Sequence, residues 1–269
     1  MDQSTLIWRY MDLSKFIDLL SKKALFFTRS DKFADPFEGA TTQSDFESRV
    51  KHLEVLNDKP GHKAARIYFN GEWITIGSIE GTNDQEALYK KIREVYFVNC
   101  WHMNNIESEA MWKLYLQSGE GIAVQTTVNR LRTNIAAPFD SAVEINPVKY
   151  IDYEKERMSH LYGNSTVFFH KRNHFEHEKE LRVVTPFIQT KDIGEEFKVI
   201  DVEKQSNLYG VHVPINDVNN LIEKVYISPT APDWFTDVVI SILEMYKLVD
   251  DDGRVQRPFQ SVLKNKPIY

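Results

Sequence analysis

The chain has a single cysteine, Cys100, in 269 residues, so it cannot hold an internal disulfide and fits a reducing compartment. It lacks any apolar run approaching the roughly 18 residues of a membrane-spanning helix, and Met1-Asp2-Gln3-Ser4 offers neither a basic nor an apolar leader region. A soluble cytoplasmic protein without a membrane partner is therefore expected. Positive charge is in short supply: 33 Lys and Arg face 39 Asp and Glu, for a net charge of −6. No whole-protein basic field draws such a chain to nucleic acid, so a nucleic-acid contact would need a local patch. Also missing are the Gly-x4-Gly-Lys-Ser/Thr phosphate loop, Gly-x-Gly-x-x-Gly and the Gly-x-Ser-x-Gly elbow, which disfavours P-loop nucleotide hydrolysis and triad hydrolysis. Cys100 and His102 have no second Cys/His pair at ligand spacing, and His170, His174 and His177 lack the His-Glu-x-x-His pattern, so no metal is expected.

What is present is a core-forming composition, 42% hydrophobic and 12% aromatic. A chain of this length buries about 70–75% of its unfolded surface. The expected fold is a single α+β domain over residues 1–269, with a mixed, mainly antiparallel sheet flanked by helices. The opening reads strand, helix, strand: Leu6 to Met11, a helix with the stripe Leu13, Phe16, Ile17 and Leu20 capped by Asp12 or Ser14, then Ala24 to Thr28. Ser30 to Gly39 is a turn-rich loop, because Pro36 pushes Asp35 out of the helical region. Residues 43–94 read as an insertion of charged helices around a hairpin turning at Asn70-Gly71. Later strands are expected at 95–101, 122–126, 148–151, 181–186 and 224–228, with helices at 109–116, 167–177 and 233–246.

The stretch Phe175-Glu176-His177-Glu178-Lys179-Glu180-Leu181-Arg182 concentrates the chemistry. On a strand, Glu176, Glu178, Glu180 and Arg182 would share one face, and carboxylates crowded so closely call for a cation or for a substrate with developing positive charge. The same run also suits an edge strand or a helix end with solvated charges. Arg9, inward-facing on the first strand, suits either a structural bridge to Glu178 or Glu180 or the holding of a phosphate. Trp112 and Tyr115, three apart beside Met111, read as core or as a stacking platform. Asp35, Glu38, Glu178 and Glu180 form an alternative carboxylate set for Mg²⁺, as in a metal-dependent nuclease.

Several segments together resemble the bacterial family catalogued as Domain of Unknown Function 2971. They are Trp8-Arg9-Tyr10, Asp35-Pro36-Phe37-Glu38, Cys100-Trp101-His102 with Ala110-Met111-Trp112 and Tyr115, Gly121-Ile122-Ala123-Val124, and Lys171 with Phe175-x-x-Glu178-x-Glu180-x-Arg182. Ala34 stands where asparagine is expected in that pattern, and Phe175 where tryptophan is usual. A remoter resemblance is to the ADP-ribosyltransferase fold, in which a first strand carries an arginine or histidine and a later strand opens with Glu-x-Glu. That resemblance implies NAD as substrate, a small-molecule nucleotide partner, a protein or nucleic-acid acceptor, and a role in antiviral defence or as a toxin. Within it, Glu180 stabilises the cationic ribose and Glu178 orients the acceptor. Arg9 holds a phosphate, Tyr10 or Trp112 stacks on a ring, and Ser30 stands in the loose substitute Thr28-Arg29-Ser30 for a Ser-Thr-Ser strand. The alternative is a non-catalytic nucleotide- or protein-binding module using the same residues.

Overall fold

Bulky β-branched and aromatic residues alternate at the start of the chain and form strand β1 (Leu6–Asp12), in which Ile7 and Met11 face one side and Trp8 and Tyr10 the other. The computed structural model describes residues 1–57, 65–69, 72–76, 90–116, 119–158, 163–193, 197–265 and 267. Helix α1 (Leu13–Lys22) follows at once and buries Phe16, Leu19 and Leu20. Asp12 stands at its N-cap without a side-chain capping bond. Strand β2 (Ala24–Arg29) completes the expected opening. Helix α2 (Gln43–Asn57) and the antiparallel pair β3 (Ala65–Phe69) and β4 (Glu72–Ile76) come next, with the turn Asn70-Gly71 and residues 83–89 outside the described residues.

Strand β5 (Tyr96–Met103) is the organising element. Along one edge it pairs with β10 (Glu180–Pro186) from Tyr96↔Pro186 to His102↔Glu180. Its other edge is shared. β2 pairs with it at Thr28↔Val98 and Arg29↔Phe97, and β1 pairs with it only at Ile7↔Met103 and Trp8↔His102. Between those two contacts β1 and β2 diverge, so the sheet forks at residues 99–101.

The β1 branch continues through β6 (Gly121–Thr127), β14 (Lys224–Ile227) and β15 (Phe259–Gln260), and the β2 branch ends on β13 (Gly210–Pro214). With β7 (Glu144–Pro147) on β10, the sheet has nine strands and is antiparallel except for β14 beside β15. Arg9 and Arg182 therefore lie in one sheet, and the fold is α+β with a mixed, mostly antiparallel sheet. Three short two-stranded pairs complete the strands: β3 with β4, β8 (Lys149–Ile151) with β9 (His170–Arg172), and β11 (Thr190–Ile193) with β12 (Phe197–Ile200).

The largest core packs α1 and the C-terminal helix Asp233–Met245 on one face, around Phe16, Phe27, Phe97, Trp101 and Phe235. Each such side chain contributes about 1.5–3 kcal/mol by leaving water. On the opposite face, Trp8, Tyr10 and Ala123 are covered by Met111 and Trp112 of helix α3 (Glu109–Tyr115), whose Ser108 cap accepts from the Met111 amide. The core reading holds for Met111 and Trp112 but not for Tyr115, which is exposed.

The helix expected over 167–177 is absent. Residues Gly163–Phe169 and Asn173–Glu178 form 3₁₀ turns around β9, because His170 and Lys171 are drawn into a short parallel pairing with β8.

Candidate functional site

A cleft of about 620 Å³ lies in the fork. β1 contributes Trp8, Arg9 and Tyr10 to its walls, β2 contributes Phe26, and β5 contributes Cys100 to His102. Tyr115 of α3, Lys171, Glu178 and Glu180 close another side. Ser14, Lys15 and Asp18 of α1, with Tyr209 and His212, add to the lining on the β2 side. Among the described residues, no helix is long and apolar enough to cross a membrane.

The acidic run is not one strand face. Glu180 and Arg182 do share a face of β10, opposite His102 and Cys100 of β5. Glu178 instead ends a 3₁₀ turn, and Lys179 adopts the left-handed conformation with φ 41°. That kink folds the Glu178 carboxylate back beside Glu180, while Glu176 is left exposed. Lys179 itself is exposed, and its carbonyl accepts from the Met103 amide at 2.9 Å.

Five buried charged side chains then interlock. Lys171 Nζ lies 2.9 Å from both Glu178 Oε2 and Glu180 Oε1, and 3.4 Å from Glu38 Oε1. Arg182 is held bidentately by Glu38 at 2.7 and 2.9 Å, donates to Glu180 Oε2 at 2.6 Å, and reaches the Phe168 carbonyl at 2.8 Å. Three carboxylates against two cations leave one negative charge in excess in a nearly dry environment. Burial, with Glu180 alongside, pushes Glu178 up to about 8, so this residue carries the proton near neutrality. Burial acts the same way on Glu180, but Arg182, the hydrogen bond from Glu178 and Lys171 outweigh it and hold Glu180 below the usual carboxylate range. Burial and Glu180 push the Cys100 thiol up, so it is not a thiolate nucleophile at neutral pH.

Arg9 makes no bridge to Glu178 or Glu180, contrary to the structural alternative. Its guanidinium sits in the fork, where Nη2 donates to the Phe26 carbonyl at 3.3 Å and the Trp101 ring lies 5.8 Å away. Nη1 is buried without a partner, and burial draws the group down from its ordinary value to about 10. The reason is topological: Arg9 projects from the same side of β1 as Ile7 and Met11, whereas the carboxylates line up with Trp8, Tyr10 and His102. Tyr10 lines the cleft with its ring while its hydroxyl accepts from the Ser108 amide at 2.8 Å.

Two sequence-selected residues lie elsewhere. Trp112 is buried behind Tyr10 and donates to Glu107 at 2.9 Å. The Ser30 hydroxyl donates to the Arg93 carbonyl at 2.7 Å. Neither lines the cleft, because their polar atoms tie loops to the core. Asp35 accepts from the Phe37 amide and is gripped by Arg172 at 2.8 and 3.2 Å. Of the carboxylate set read for Mg²⁺, Asp35 is held apart by Arg172, while Glu38, Glu178 and Glu180 gather around the Lys171 ammonium.

His102 was weighed from the sequence only as a zinc ligand and as part of the family pattern, and Lys171 only as part of that pattern. Both line the cleft. The usable signal for His102 was its place on an apolar strand two residues after Cys100 and just before a turn.

Fold and site together define an α+β protein with a cleft in a forked sheet and a buried carboxylate pair at one wall. The model of the family described as Protein of unknown function (DUF2971) matches residues 111–183, which bears out the family resemblance. That segment contains Tyr115, Lys171, Glu178, Glu180 and Arg182. Among curated proteins and among solved structures, no match was found.

Proposed function

We propose that the cleft takes NAD and that the protein is an ADP-ribosyltransferase-like enzyme of the kind that serves as a defence or toxin effector. One observation carries the reading: Arg9, whose Nη1 has no partner, the Tyr10 ring and the Glu178–Glu180 pair all line a single cleft.

Arg9 suits a phosphate, since an anion supplies the partner that its Nη1 lacks. Tyr10 and Tyr115 offer ring surface in place of Trp112. NAD supplies a glycosidic bond whose cleavage builds positive charge on ribose. Glu180, ionised and fixed through both oxygens, supplies preorganised negative potential for that charge. Glu178 has a different task. A cation entering the cleft offsets the excess negative charge of the cluster and so favours ionised Glu178, which can then accept a proton from an acceptor hydroxyl or amine.

The test is nicotinamide release from NAD by the purified protein with cell extract as acceptor source. Glu180→Gln keeps shape and removes charge, so turnover should fall about 10²-fold or more while NAD still binds. Equal turnover by the variant would refute the assigned role. A non-catalytic nucleotide-binding module is the second reading, favoured by the saturation of Glu180 by Lys171 and Arg182. NAD binding without release by the wild type would support it.

A further inference from the structure

His102 carries a second unmet hydrogen-bonding capacity in the same cleft. The side chain is 5% exposed, and its Nδ1 lies 2.6 Å from the Glu178 carbonyl oxygen. A carbonyl oxygen can only accept, so Nδ1 bears the hydrogen. Burial lowers the ring's proton affinity, which leaves Nε2 as a bare acceptor near neutral pH. Nε2 is buried and has no partner. The surroundings offer it little: the Tyr10 ring stands edge-on at 6.2 Å, and the Tyr10 hydroxyl is already used by Ser108. A buried acceptor left unpaired is unfavourable by about 1–3 kcal/mol, and a ligand able to donate removes that penalty.

The position of His102 says which part of a ligand it meets. It is directly opposite Glu180 across the β5–β10 pair, so the two side chains rise from the same face as close neighbours. Its Nδ1 also holds the carbonyl of Glu178, the residue just before the left-handed Lys179. The imidazole is thus fixed in one tautomer beside the carboxylate pair.

We infer that His102 is a specificity-determining residue whose bare Nε2 accepts a hydrogen bond from an uncharged N–H donor of the ligand next to the reacting carbon. Resting on the NAD reading, the donor is the primary carboxamide of the nicotinamide ring. The same acceptor disfavours a carboxylate at that place, because two acceptors would then face each other without a proton between them.

The test compares NAD with nicotinic acid adenine dinucleotide, in which a carboxylate replaces the carboxamide, by titration calorimetry at pH 7.5. The wild type should prefer NAD by about tenfold or more. His102→Asn can keep the donor to Glu178 but lacks an acceptor at the Nε2 position, so its preference should shrink to within about threefold. His102→Gln places an amide near Nε2 and should retain most of the preference. Melting temperatures confirm that each variant is folded, and either variant alone decides the point. An unchanged preference in His102→Asn, or a lost preference in His102→Gln, overturns the inference while the NAD reading stands. Failure of the wild type to bind either dinucleotide overturns that reading and the inference with it.

Discussion

Replacing Arg9 by methionine separates a structural arginine from one kept for a ligand. Burial draws the guanidinium down from its ordinary value to about 10, which corresponds to about 3 kcal/mol of unfavourable charge burial in the folded protein. The sign is clear: a cation with a lowered pKa is destabilising at every pH where it stays charged, pH 7 included. Against this stand one 3.3 Å hydrogen bond to the Phe26 carbonyl, about 0.5–1.5 kcal/mol, and the Trp101 ring at 5.8 Å, about 0.5–1 kcal/mol. Methionine replaces much of the aliphatic stem. Arg9→Met should therefore lie between neutral and about 2 kcal/mol more stable, a change in melting temperature from zero to a rise of roughly 8 °C. Differential scanning calorimetry without ligand, cross-checked by urea unfolding, measures it. A fall of more than about 4 °C would mean that Arg9 holds the fold together, and the argument for an anion site would collapse.

Arg182→Met should do the opposite. It strands Glu38 and Glu180 in a buried site, which is unfavourable by about 3–5 kcal/mol, and should lower the melting temperature by roughly 6–20 °C. The deficit should narrow in acid as the two carboxylates take up protons. Glu178 governs a separate pH effect: its pKa is raised from 4.5 to about 8, so its contribution to stability is fully present below about 4.5 and is lost as pH rises through about 8. The wild-type melting temperature should decline across that window, and Glu178→Gln should flatten the decline; parallel profiles for the two proteins would contradict a protonated Glu178.

Local pattern carried the expected elements well where burial is one-sided. The α1 stripe, the β1 alternation, the β5 run and the Asn70-Gly71 hairpin strands all follow from side-chain period and turn chemistry. The region around β9 misled because its aromatic and histidine residues fit a helical period, yet pairing with β8 is a long-range event that no local window contains. The same limit applies to the site. Alternate carboxylates suggested one strand face, and only a left-handed lysine between them, a residue rarely found in that conformation, shows that the pair forms by a kink. The sequence left Arg9 between a carboxylate bridge and a phosphate, because the forking of the sheet that keeps it from the carboxylates depends on β1 and β2 sharing one edge of β5. Glu38 and Lys171 entered through tertiary contacts across more than a hundred residues.

The central claim is that the forked cleft binds NAD through Arg9, and calorimetric titration of NAD into wild-type protein and Arg9→Met tests it most directly. The wild type should bind one NAD per chain, and the variant, folded by its melting curve, should bind at least about tenfold more weakly because the phosphate loses a charge-assisted pair. No binding by the wild type, or equal binding by both proteins, would contradict it.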